Sequence, residues 1–159
     1  MIQLLSIDNP RVLFNQTSAK PSFSWRYIDV LNERGDGCVC IFSQGLPFLP
    51  ASTDLKPDRY AMNVVLYKDG KESFYLLQEF PSSEVNLETV ESHGLSGKRK
   101  EIWTIGGHTF HRCIEDGKVH CVVELRSLTE GLESSASGHS VSGKIELSGS
   151  LLTDMPDVG

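Results

Sequence analysis

The chain has 159 residues, of which 39% are hydrophobic and 23% are charged, and its net charge at pH 7 is -6. This length suits one domain over residues 1–159 with a substantial core. The one basic run, residues 98–100, is offset by Glu91 and Glu101. Nucleic acid and anionic membranes require clustered Lys and Arg, so we expect neither as a partner.

The sequence also lacks membrane and export signals. No apolar run approaches the roughly 20 residues that cross a bilayer. Residues 1–6 have no basic region and begin no long apolar stretch, so no signal peptide is expected. The four cysteines should then be reduced thiols. We therefore expect a cytoplasmic protein without a membrane span.

Short runs of β-branched and aromatic residues between Gly, Asp, Asn and Pro are typical of strands. They predict strands over residues 2–7, 22–31, 37–43, 61–68, 72–80, 101–106, 108–114, 118–126 and 141–149. Short helical turns are predicted within residues 51–60 and 86–92, and a loop over 133–138. Consecutive hairpins favour an all-β, antiparallel, up-and-down β-barrel; a two-sheet β-sandwich is the alternative.

Two Asp-Gly pairs, Asp69-Gly70 and Asp116-Gly117, predict two-residue hairpin turns. The second turn sets Cys113 opposite His120 and Arg112 opposite Cys121. The more apolar face then carries Phe110, Arg112, Ile114, Val119, Cys121 and Val123.

The opposite face of that hairpin carries residue types that bind zinc, namely His111, Cys113, His120 and Glu124. Their spacing matches no recognised finger or ribbon, so no metal and no cofactor are predicted. Cys38 and Cys40 share one face of a strand, where buried thiols act as small hydrophobic residues.

Residues 22–31 contain the most informative pattern. Because strand side chains alternate, one face carries Phe23, Trp25, Tyr27, Asp29 and Leu31. If this face lines an interior, it offers an apolar wall with a phenol and a carboxylate, which is the composition of small-ligand sites. The alternative is that the rings are ordinary core residues.

The same segment resembles the opening motif of the carotenoid 1,2-hydratase (hydroxyneurosporene synthase) and AttH-like family. The matching features are residues 23–29 (FSWRYID), the glycine turn at 35–37, Ile41-Phe42, Gly45 and Pro47-Phe48. Residues 63–71, 106–110 and 142–147 are similar to later strands of that family, so the resemblance covers residues 20–150.

The resemblance implies a lipocalin-like, calycin-type barrel that handles a hydrophobic small molecule such as an isoprenoid or polyene. It makes Asp29 and Tyr27 the candidate catalytic residues for a hydratase or cyclase, and Phe23, Trp25, Phe42 and Phe48 the candidate ligand-binding residues. In the family a second barrel follows, with an aspartate motif that this chain lacks. We expect that barrel from another chain, a second copy or residues beyond 159.

Whether the domain is catalytic stays open at this point. Two further functions fit the same pattern: a non-catalytic lipocalin-like binder, and a structural domain whose interior is filled by its own side chains.

Overall fold

The computed structural model describes residues 24–45, 59–91, 98–128, 133–134 and 140–150. The predicted strand over 2–7, most of the predicted turn over 51–60, and the candidate ligand residues Phe23 and Phe48 lie outside these ranges. Within the described part, no helix is long and apolar enough to cross a membrane.

The described chain is almost entirely strand and forms two antiparallel sheets. The first sheet contains β1 (Ser24–Leu31), β2 (Gly37–Gln44), β3 (Tyr60–Lys68), β4 (Lys71–Phe80) and the short β9 (Glu133–Ser134), in that order. The second sheet has the order β10 (Val141–Ser150), β8 (Lys118–Leu128), β7 (His108–Glu115), β6 (Arg99–Ile105) and β5 (Val85–Glu91).

The predicted all-β, antiparallel class is confirmed. Among the described strands, no hydrogen-bonded pair joins the two sheets into a barrel. The sheets pack instead through one shared core, in which Phe42 of β2 and Phe110 of β7 lie with ring centroids 5.9 Å apart. This is the two-sheet arrangement that the sequence left as an alternative.

Local turn chemistry explains the hairpins. Asp69, Gly70, Asp116 and Gly117 all have positive φ, between 50° and 74°, as a two-residue turn of this type requires. The β7–β8 pairing places Cys113 opposite His120 and Arg112 opposite Cys121. Both predicted turns and the predicted register are confirmed.

The helical turn predicted over residues 86–92 is wrong. A short 3-10 helix, Ser82–Glu84, is followed at once by β5. Val85 and Leu87 alternate with polar residues, pair with Ile105 and Trp103, and pack against the core. Burial of this period-two stripe outweighs the weak capping signal of Asn86.

Candidate functional site

The two faces of β1 have different surroundings, and the aromatic side chains are not on the core side. Ile28 is buried in the inter-sheet core, and Val30 packs against it. Trp25, Tyr27 and Asp29 therefore project from the opposite face of the sheet. The prediction that this set lines the interior is wrong.

Phe42 lies on the opposite side of the first sheet from Trp25, the other candidate ligand residue that the structure describes. It is fully buried, at 0% exposure, and belongs to the inter-sheet core. The structure thus brings Trp25, Tyr27 and Asp29 together and places Phe42 on the other side.

The outer face of the first sheet is apolar over much of its area. Cross-strand pairing sets Trp25 beside Ser43, Tyr27 beside Ile41, and Asp29 beside Val39. We define the ring-bearing face as Trp25, Tyr27, Asp29, Val39, Ile41, Ser43, Ala61, Asn63 and Val65. Three of these residues are buried and the other six are half-buried, so the face is partly accessible to solvent.

Tyr27 and Asp29 form a hydrogen-bonded pair on the ring-bearing face. The Tyr27 hydroxyl donates to Asp29 Oδ2 at 3.0 Å. Burial, then this hydrogen bond and the charge of Asp29, raise the pKa of Tyr27 to about 12. The phenol therefore keeps its proton at neutral pH and donates it in a hydrogen bond to Asp29, so the pair presents the carboxylate and phenol oxygens as acceptors.

Replacing Asp29 by Asn should lower the pKa of Tyr27 toward its ordinary value of 10.0, because the carboxylate charge next to the phenol is lost. Since the folded-state pKa lies above the unfolded one, the contribution of Tyr27 to stability is present below pH 10 and is lost as pH rises through about 12. Ultraviolet titration of phenolate absorbance checks this, with Tyr27→Phe identifying the transition. An unchanged titration in the Asp29→Asn variant would contradict the pairing.

A cluster of charged residues that the sequence analysis did not single out lies on the core side of β1. Glu101 of β6 is 1% exposed. Its Oε1 accepts hydrogen bonds from Arg26 Nε at 2.6 Å, from Arg26 Nη2 and from Trp103 Nε1 at 3.2 Å. Its Oε2 accepts one from Arg112 Nη2 at 2.8 Å. We call Arg26, Glu101, Trp103 and Arg112 the buried charge cluster.

The buried charge cluster connects the two sheets, because Arg26 is on β1 while its partners are on β6 and β7. The Arg26 guanidinium also lies over the Trp103 ring, 4.6 Å from the centroid, in a cation–π contact. Burial lowers the pKa of Arg112. A carboxylate that pairs with both guanidinium groups is a structural requirement of the interior, since buried charges without partners are costly.

A signal for this cluster was present in the sequence. Glu101, Trp103 and Ile105 are two residues apart on one strand, so the carboxylate lies on the same face of the strand as the large indole ring. Arg112 was already assigned to the more apolar face of its hairpin. Charged residues on two core-facing stripes indicate a buried ion pair, but not which residues meet.

The outer face of the second sheet carries the polar residues considered for zinc. His120 Nδ1 and Ser148 Oγ are 2.9 Å apart, and His120 Nε2 is 3.6 Å from Glu146 Oε1. His120 and Ser148 border a shallow depression of about 400 Å³ that is also lined by Cys113 and Lys118. Among the residues that the structure describes, no group of three or more His, Cys, Asp or Glu could hold a metal ion.

No family model, curated protein or solved structure matches this chain. The resemblance to the carotenoid 1,2-hydratase family therefore stays a prediction, and function is argued below from the geometry of the site.

Proposed function

We propose that the chain binds a hydrophobic small molecule, of the isoprenoid or polyene class, on the ring-bearing face of its first sheet. The observation that carries this proposal is the half-buried indole of Trp25 on the same face as the hydrogen-bonded Tyr27–Asp29 pair, next to Ile41 and Val39. An apolar surface with a few placed polar groups is the composition expected of such a site.

Packing of the interior favours the outer face over the core as the binding surface. Phe42, Met62 and Val64 of the first sheet are 0% exposed, and Phe110 of the second is 2% exposed. A ligand between the sheets would have to displace these close-packed side chains. On the ring-bearing face Trp25, Tyr27 and Ile41 are only half-buried, so a ligand there would extend an apolar surface that is already partly accessible.

The resemblance to the hydratase family supports the choice of ligand class and extends the proposal to conversion of that ligand on the ring-bearing face. In that extension the acid form of Asp29 gives its proton to an alkene carbon, the π face of Trp25 stabilises the cation, and a water molecule adds to the cation and returns a proton to Asp29. A second barrel or a second copy of the chain covers the site and excludes bulk water. Binding alone needs less, since Tyr27 already donates to Asp29 and leaves the carboxylate as an acceptor.

Retinol, an apolar polyene with one hydroxyl group, is a suitable probe. Replacing Trp25 by Ala should weaken retinol binding about tenfold, because a flat aromatic contact contributes on the order of 1–2 kcal/mol. Tyr27→Ala should have a similar effect. Titration of retinol fluorescence against protein concentration gives the affinities.

Two control variants locate the site. Val90→Ala removes a side chain of the second sheet that is 59% exposed and should leave the affinity unchanged. Phe42→Leu alters the core side of the first sheet. Weaker binding in Phe42→Leu with normal binding in Trp25→Ala would place the ligand in the interior, and absence of saturable binding would end the proposal.

A further inference from the structure

Two of the four cysteines lie side by side on the core face of β2. Cys38 and Cys40 are two residues apart on a strand, so their side chains share a face, and their sulfur atoms are 3.4 Å apart. Cys40 is 1% exposed and belongs to the core, whereas Cys38 is half-buried. One thiol is therefore reachable from solvent, with the second directly behind it.

The chemistry of this pair differs from that of the other two cysteines. A hydrogen bond from the Cys40 thiol lowers the pKa of Cys38, although burial opposes the shift, and the same bond together with burial raises the pKa of Cys40, so Cys38 is the thiol that reacts first. Burial raises the pKa of Cys121 to about 12, which keeps it an unreactive thiol. Cys113 lies on the outer face of the second sheet, where the pairing sets His120 opposite it. Among the described residues, a vicinal pair of sulfurs occurs at Cys38 and Cys40.

The spacing of the sulfurs suits chelation better than oxidation. A disulfide needs a bond of about 2.05 Å, so the two sulfurs would have to approach well inside their present 3.4 Å separation. β2 is hydrogen-bonded on both sides, to β1 and β3, which resists the local bending that such a bond requires. One atom bridging both sulfurs needs no such approach. Tetrahedral zinc takes four ligands, and in the described part of the chain no group of three or more His, Cys, Asp or Glu comes together to supply them.

We propose that Cys38 and Cys40 form a dithiol site that captures trivalent arsenicals and similar thiophilic metalloids. Soft thiolate sulfur is the preferred partner of soft ions. With an organoarsenic oxide, the two thiols form two As–S bonds, and both thiol protons leave with the oxide oxygen as water. Arsenic stays trivalent and both sulfurs keep their oxidation state, so no oxidant or reductant is needed. This site is independent of the ring-bearing face, since it lies on the opposite side of the sheet.

Phenylarsine oxide added to the full reduced chain tests the proposal. Mass spectrometry under native conditions should show one phenylarsenic group per chain. Two of the four thiols should then no longer react with a thiol reagent. Replacing Cys38 by Ser removes the half-buried member and should weaken capture about 100-fold, because a chelate becomes a single-thiol contact. Cys40→Ala should do the same.

Cys113→Ser is the matched control, since it removes a half-buried thiol from the other sheet and should leave capture unchanged. The Cys38→Ser variant is the decisive one, because its side chain is not part of the fully buried core and its fold is expected to survive. Undiminished capture by Cys38→Ser, a loss of capture in Cys113→Ser, or absence of capture by the parent chain would each overturn the proposal.

Discussion

Replacing Glu101 by Gln is expected to lower the free energy of unfolding by about 3–5 kcal/mol, because it removes the buried carboxylate that Arg26 and Arg112 share. The carboxylate is 1% exposed, and Arg26 and Arg112 have only 19% and 13% of their side chains exposed. Water therefore cannot replace the lost charge. Urea denaturation monitored by circular dichroism measures the change.

Glu79→Gln provides a matched control on the surface. Glu79 pairs with Arg59 at 2.9 Å, but the two side chains are 25% and 41% exposed. Solvent screens this pair, so its loss should change stability by less than about 1 kcal/mol. Equal losses in the two variants would show that the buried charge cluster has no special role in stability.

A third variant separates the effect of charge from the effect of packing. Changing Arg26 to Met, Glu101 to Leu and Arg112 to Leu together removes all three charges while keeping most of the volume. Because an apolar replacement also removes the desolvation cost, the triple variant should recover most of the stability that Glu101→Gln loses. Failure to recover would indicate that the hydrogen bonds of Trp103 and Arg26 matter more than charge balance.

Replacing Gly106 by Ala should also be strongly destabilising, by about 2–5 kcal/mol. Gly106 has φ +56°, and an added Cβ would lie 2.0 Å from Cε1 of Phe80. Phe80 cannot yield easily, since it is 6% exposed and its ring makes an edge contact with His108. The β6–β7 turn would have to move away from the end of β4.

The neighbouring glycine is the control. Gly107 also has positive φ, +82°, but an added Cβ there would meet nothing within 4 Å. Gly107→Ala should therefore cost only the backbone strain, about 1–2 kcal/mol. Replacing the Phe80 ring by the smaller Leu side chain in the Gly106→Ala background should restore part of the lost stability. Thermal unfolding of the variants measures the difference, and equal midpoints for Gly106→Ala and Gly107→Ala would refute the steric argument.

Sequence reasoning was most successful where structure depends on neighbouring residues. The Asp-Gly pairs at 69–70 and 116–117 need positive φ, and this local requirement set both the turns and the β7–β8 register. It failed at residues 86–92, where a capping residue suggested a helical turn. There the apolar alternation of Val85 and Leu87, completed by contacts with β6, proved stronger.

The candidate site shows what the amino-acid sequence could and could not determine. By itself the sequence determined that Trp25, Tyr27 and Asp29 share one face of a strand, because alternation is a property of the strand alone. Only the tertiary structure decided which face is turned to the core. Both faces of β1 carry apolar residues, and the inward position of Arg26 depends on Glu101, 75 residues away in the chain. A partner that distant neutralises a buried charge without leaving a local signal, so the orientation of β1 could not be read from residues 24–31.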